Sequence, residues 1–334
     1  MTDTLATRPT PLSRVWSGRD VIAEDVQGDD LGDVLEMNSG ASAWWVLPRQ
    51  REQPSELLHQ AARALDLDEL AIRDLTAEDR RAKYEELTQA RLVTTNAVTL
   101  DEQAVELTVH AVSLVVTDRA LICLVDPAGT GFNPARLLAQ RTQSLAQGGV
   151  EQALQIVVGA VIDTYDDAVE WLEDASDTLS DALFEGTPLS KNDQLQAFRL
   201  RSALSQLRRL TDPMRAVMDE LTDSQPPDSR AGRRWEILRE HHHRVANAAD
   251  ALREALSSVF DTSLALADLR MNEIMKQLTG WAAIVAVPTL VTGFAGQNVN
   301  FPLDGTEAGF WFYLAIMVIS SVVLYVLFRR KQWI

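Results

Sequence analysis

Residues 278–334 constrain this chain more than any other stretch: two apolar runs flank a short polar loop, and a basic cluster follows the second run. A bilayer core of about 30 Å takes roughly 20 mostly apolar helical residues to cross. Gly309–Phe328 carries no charge and meets that length. Leu278–Ala295 is shorter and contains Pro288 with Thr279, Thr289 and Thr292. Proline is tolerated in membrane helices when neighbours satisfy the freed carbonyl. Threonines suit a face that meets water or another helix rather than lipid. The hairpin therefore reads as two membrane spans joined to an otherwise acidic, soluble chain.

Steps of three and four residues along the first run trace one helix face: Asn272, Met275, Thr279, Ala282, Ala286, Thr289, Gly293 and Gly296. All but Met275 are small or polar, and Leu278 borders the same side. Trp281, Ile284, Val287, Val291 and Phe294 lie elsewhere around the helix. The small face fits two structures: a packing seam between helices, common in membranes, or a pore wall built from several copies. Lys276 precedes the first span, and Arg329, Arg330 and Lys331 follow the second. The loop between them has only Asp304 and Glu307. The positive-inside rule then puts both ends of the chain in the cytoplasm and the loop outside, in the cell (inner or plasma) membrane.

The formal net charge of -17 argues against a nucleic-acid partner. A single cysteine, Cys123, excludes an intrachain disulfide and fits a reducing compartment. The pattern predicts an α/β cytoplasmic domain, then a long helical stalk and two C-terminal transmembrane helices. In order, residues 1–20 read as a loose arm and 21–149 as the α/β domain. Within it, Ala43–Leu47, Arg91–Thr99, Val105–Val116 and Ala120–Val125 read as strands, and Pro54–Leu65 as a helix. Residues 150–228 read as a helical hairpin, acidic in its first arm and basic in its second, with the arms complementary in charge. Residues 229–277 form the stalk, 278–295 and 309–328 the spans, 296–308 the external loop and 329–334 a basic tail.

At this point the chain resembles the CorA-type family of divalent-cation transporters. The likeness rests on MNEIMKQLT, Pro288, TGFAGQN and FRRKQW in the family's order, with a weaker patch at LDLDELAIRDL and RRAKYEE. It implies a homopentamer whose first spans line one central pore. It implies that Gly296, Gln297 and Asn298 form the pore mouth, with Asn298 meeting a hydrated ion. Asn272, Met275, Leu278 or Thr279, Ala282, Ala286, Thr289 and Gly293 then line the pore. Gln297 stands where the family usually has Met, and branches with an altered middle residue include zinc transporters. Asp304 and Glu307 are placed to collect cations outside. The carboxylates Asp261 and Asp268 lie on the pore face, as a cytoplasmic ring or as solvated side chains. A regulatory metal role falls on Asp74, Asp163, Asp166, Asp167 and Asp174, against a solvated or intrachain-paired alternative.

Mg²⁺ gives up its waters reluctantly and prefers oxygen ligands. A ring of neutral amide and carbonyl oxygens can hold a hydrated ion weakly enough to release it. No His or Cys lies near the mouth, so a tightly ligated zinc site is not indicated there. His241-His242-His243 point in different directions on a helix and read as an exposed polar face. No phosphate-binding loop or nucleophile elbow is present, so no enzyme and no covalent cofactor is expected. The expected activity is passage of Mg²⁺, or of Co²⁺, Ni²⁺ or Zn²⁺. The alternatives are a proton-coupled zinc-type carrier of the same architecture and a non-conducting, membrane-anchored sensor or scaffold.

Overall fold

The structure, a computed structural model, describes residues 12–26, 29–49, 56–64, 81–126, 131–184, 188–297 and 306–334. They form two compact units: the described part of residues 1–180 with 191–257, and 181–190 with 258–334.

The first unit is built on a seven-stranded sheet of order β2-β1-β3-β7-β6-β5-β4. The strands are β1 (Ser13–Ser17), β2 (Asp20–Glu24), β3 (Ser42–Pro48), β4 (Lys83–Glu86), β5 (Arg91–Asp101), β6 (Glu106–Val116) and β7 (Ala120–Val125). All neighbours are antiparallel except β3 and β7, which run parallel from Ala43↔Ala120 to Pro48↔Val125. The long β5–β6 hairpin closes where Asp101 Oδ1 accepts from the amides of Gln103 (2.9 Å) and Ala104 (3.0 Å), as Asx turns do. Helices α1 (Asp29–Met37) and α2 (Glu56–Ala64) contribute Leu31, Leu35, Leu58 and Ala62 to one core, with Val15, Trp45, Leu47, Ile122 and Leu124 from the sheet. The Arg119 guanidinium, from the β6–β7 turn, donates to the carbonyls of Leu35, Asn38 and Ala41. Of these, the Leu35 carbonyl lies in the last turn of α1, which leaves it without an intrahelical donor.

The remaining helices are α3 (Pro134–Gln140), α4 (Thr142–Phe184), α5 (Lys191–Asp223), α6 (Arg230–Ala295) and α7 (Glu307–Arg330). Gly149 interrupts α4 with φ 61° and ψ -148°, a backbone state open mainly to glycine. Beyond it, Ala153, Leu154, Val157, Val161, Ile162, Tyr165, Ala168 and Leu172 follow helical spacing and are buried. Tyr165 donates to the Asn96 carbonyl and Thr164 Oγ1 accepts from the Val98 amide (3.1 Å), seating α4 on β5. Thr95 of β5 touches Met214 of α5. At the base of this layer the Glu151 carboxylate receives Arg91 (2.6 Å) and the Trp235 indole N–H (2.6 Å). Ser229 Oγ accepts from Gly232 N (2.8 Å) and so caps the start of α6.

Four expectations change. Residues 13–17 are not a loose arm. They form β1, with Val15 fully buried, while Arg14 reaches Glu24 (2.6 Å) and lies over the Trp44 ring. A five-residue strand with a charge at its second position gives too short an alternation to be read. Two of the basic arginines of α5, Arg208 and Arg215, reach not the acidic α4 but Asp250 on α6. The three histidines are not one exposed face. His241 Nε2 lies 3.0 Å from Asp166, and His242 is fully buried. The unit boundary also falls within the expected stalk, at residue 257, near where the buried stripe Ala249, Leu252, Leu256 and Val259 runs out.

The His242 ring is buried against the Thr211 backbone. Burial, with His243 and Arg215 beside it, pushes its pKa down to about 4. The folded pKa is thus below the unfolded value near 6.5. Stability is full above 6.5, where both states are neutral. It is lost as pH falls towards 4, where only the unfolded state takes the proton. The loss is expected to reach on the order of 3 kcal/mol. Thermal melts at pH 7.5, 6 and 4.5 check it. The gap between the parent chain and His242→Phe should narrow or reverse as pH falls, and a gap independent of pH would refute the linkage.

Candidate functional site

Two helices of the second unit are long and apolar enough to cross a membrane: the end of α6, and α7. Their most apolar windows have mean hydropathy 1.6 and 2.3, and the protein buries 6% and 0% of them. Soluble core helices of this composition are mostly covered, so the solvent for these surfaces is lipid or other copies.

The two helices protect one stripe each. On α6 it runs through Gly280, Ile284, Val287 and Val291; on α7 through Gly309, Tyr313, Met317, Ser320, Leu324 and Phe328. Trp281 and Tyr325 meet with ring centroids 6.4 Å apart. The candidate pore residues Asn272, Met275, Leu278, Thr279, Ala282, Ala286, Thr289 and Gly293 are all exposed. At about 100° per residue, their stripe lies roughly 150° around α6 from the protected one. The small face is therefore not the seam between the two spans of one chain. A Cβ added to Gly293 would meet nothing within 4 Å, so intrachain packing does not explain that glycine.

The threonine hydroxyls of this region are committed to their own helix. Thr279 Oγ1 donates to the Met275 carbonyl (2.7 Å), Thr289 to Val285 (2.9 Å) and Thr292 to Thr289 (3.0 Å). Each hydroxyl oxygen keeps acceptor capacity but has no hydrogen left to give. Asp261 and Asp268 are exposed and continue the same face towards the start of α6. Between them and the span, Leu264, Met271, Met275 and Leu278 are 53–65% exposed.

At the far end of α6, the Gly296 amide donates to the Thr292 carbonyl (2.9 Å) and the Gln297 amide to Phe294 (3.3 Å). Both residues are exposed. Asn298, Asp304 and Asp74 lie outside the described residues. Glu307 opens α7 just after its cap, where Thr306 Oγ1 accepts from the Gly309 amide (3.1 Å). A carboxylate there is favoured by the helix dipole, which accounts for it without an ion. Asp163, Asp166, Asp167 and Asp174 are exposed on α4. Of these, Asp166 is paired with His241, which also stands 3.9 Å from Asp163. Among the described residues, no group of three or more His, Cys, Asp or Glu side chains could hold a metal.

Sequence reasoning missed a contact at the other end of the hairpin. Trp333 stacks on Phe328 at 5.6 Å and 6°, and Gly280 faces Phe328 and Ile334. A glycine inside an otherwise apolar span was the available signal.

The comparisons with known proteins agree with this architecture. The family model described as "CorA-like Mg2+ transporter protein" matches residues 41–330. The "Cobalt/magnesium transport protein CorA" of Thermotoga maritima is 22% identical over 309 residues, 91% of this chain and 87% of that protein. The protein of the same description from Methanocaldococcus jannaschii is 42% identical over 83 residues, 25% of this chain. Among solved structures, the complete CorA magnesium transporter of M. jannaschii has TM-score 0.76 and 20% identity, covering 97% of this chain and 99% of its own. Full-length CmaX has TM-score 0.71 and 21% identity, covering 96% and 97%. With the family model spanning most of its length, the chain belongs to the CorA-like Mg2+ transporter family.

Proposed function

We propose that this chain is one subunit of a homo-oligomeric channel that passes hydrated divalent cations, Mg²⁺ first among them, along the exposed face of α6. The observation that carries the reading is that face: small, polar and uncovered, on the side of α6 turned away from its own second span. Its pore-lining residues are Asn272, Met275, Leu278, Thr279, Ala282, Ala286, Thr289 and Gly293. Gly296, Gln297 and Asn298 form the mouth. Five is the subunit number that the family likeness implies. The uncovered Leu264, Met271, Met275 and Leu278 support assembly, because large apolar side chains in a row call for a partner surface.

The threonine hydroxyls support the sign of the permeant ion. A hydrated cation turns its water hydrogens outwards. Thr279 and Thr289, whose own hydrogens are given to backbone carbonyls, offer those waters acceptors only. Neutral acceptors bind weakly enough to let the ion leave. The membrane potential supplies about 4.6 kcal/mol per divalent ion at 100 mV, so inward movement needs no nucleotide. Both ends of the chain lie in the cytoplasm, Asp304 and Glu307 face outside, and Asp261 and Asp268 line the inner approach. Any regulatory ion at Asp163, Asp166, Asp167 or Asp174 draws its remaining ligands from a neighbouring copy, and a regulatory role for Asp74 rests on the family likeness alone.

The test is flux into proteoliposomes with Mg²⁺, Co²⁺, Ni²⁺ and Zn²⁺ for the parent chain, Gln297→Met and Asn298→Ala. Flux of Mg²⁺ in the parent is expected, with a loss of about tenfold in Asn298→Ala, equivalent to about 1.4 kcal/mol. Gln297→Met should change the ratio between ions. Flux that tracks an imposed proton gradient identifies a coupled carrier instead. No movement of any ion in any variant identifies a scaffold.

A further inference from the structure

Residues 328–334 fold back over the first span. The Trp333 amide donates to the Phe328 carbonyl (2.9 Å) and the Gln332 amide to Arg329 (3.2 Å). Gln332 adopts φ 56°. These two bonds around a left-handed residue are a Schellman ending. A left-handed glutamine carries a steric penalty that glycine would not, so the surroundings must hold it there. The Trp333 ring lies flat on Phe328. The reversal brings Ile334 onto Gly280 of α6. A Cβ added there would stand 3.1 Å from both Ile334 Cδ1 and Cγ1, and 3.7 Å from Phe328 Cδ2. Gly280 is buried amid exposed neighbours. It differs in this from Gly293, around which there is open space.

We propose that Ile334 seated on Gly280 is a clasp that sets the angle between α6 and α7, making Gly280 and Ile334 positioning residues for the ion-lining face of α6. The contact lies where α6 enters its apolar segment. A change in separation at this end tilts the whole span, because a packed helix moves as a rigid element. Bulk added at Gly280 meets Ile334 Cδ1 and Cγ1 inside ordinary contact distance and so pushes the helices apart. Removing that bulk from Ile334 restores the space.

This inference rests on the proposed ion pathway, so the test reads geometry and transport separately. Gly280→Val, Ile334→Ala and their combination are compared with the parent. Cys123 is fully buried, so cysteines placed at the exposed positions Val285 and Val322 take spin labels selectively. The label-to-label distance is measured in assemblies diluted with unlabelled chains. Transport is read as the ratio of Co²⁺ to Mg²⁺ flux, which does not depend on how many assemblies are intact. The expected result is a longer 285–322 distance and a ratio shifted by about threefold or more in Gly280→Val, both returning towards the parent in the double variant, the pattern of coupled neighbours. An unchanged distance in Gly280→Val overturns the clasp, as does a double variant no closer to the parent than Gly280→Val. A restored distance with a ratio that never moved overturns the positioning role. A distance that shifts and is restored, while the parent itself passes no ion, upholds the clasp and sinks the channel reading.

Discussion

Gly293→Leu is expected to cut divalent-cation flux by about tenfold or more while leaving the protein folded and assembled. The argument runs from the empty space at this residue. A Cβ there meets nothing within 4 Å, so a larger side chain starts out into open space. Leucine also favours the helix over glycine by about 0.8 kcal/mol, so stability should hold or rise. If several copies turn this face to a shared axis, the added side chains converge on it and close it. Ile319→Leu, at a position 62% exposed on α7, is the control and should leave flux within about twofold, as surface swaps usually do. Flux through Gly293→Leu at the parent rate, with the assembly intact on gel filtration, would falsify the assignment of this face to the ion.

The largest loss of stability is expected from Glu151→Ala. Its carboxylate is 17% exposed and holds Arg91, itself 22% exposed, together with the indole N–H of the fully buried Trp235. Deleting the carboxylate leaves a poorly hydrated guanidinium and an orphaned donor. Breaking such a pair from one side costs about 3 kcal/mol or more. For a unit of this size that is a fall in Tm of roughly 6–12 °C. Glu151→Gln keeps an acceptor for Trp235 and should lose clearly less. Melting of the detergent-solubilised protein decides it, and equal Tm values for Glu151→Ala and Glu151→Gln would refute the account.

Much of the architecture could be read from residues. The strand runs at 91–101, 106–116 and 120–125 are long and β-branched, and a tight turn separates the last two. Arg230–Ala295 has no breaker strong enough to end it, since Pro288 sits where the membrane helix tolerates it. The three- and four-residue spacing found the exposed face of α6. What spacing could not give was which face the second span would take, and that choice excludes the seam within the chain. The partners of the α5 arginines were also beyond reach. Charge pattern along two helices does not reveal that Asp250, on a third helix, stands closer. His242 looked like its neighbours because adjacent helical residues differ in burial only once the bundle is packed.

The parallel pair in the sheet bears on how the chain is made. β3 leaves the ribosome with Ala43, Trp44, Trp45, Val46 and Leu47 in a row, all of them buried in the finished protein. Its neighbour on the β7 side, joined from Ala43↔Ala120 onwards, is translated only after β4, β5 and β6. At about 5–20 residues per second the strand waits several seconds with one hydrogen-bonding edge open. Among the described residues, β1, with β2 beyond it, is what shields the other edge meanwhile. Such an edge on a tryptophan-rich strand is a template for wrong pairing. Slow decoding between residues 48 and 120 should therefore favour aggregation of the nascent chain, and holding chaperones should engage it in that window.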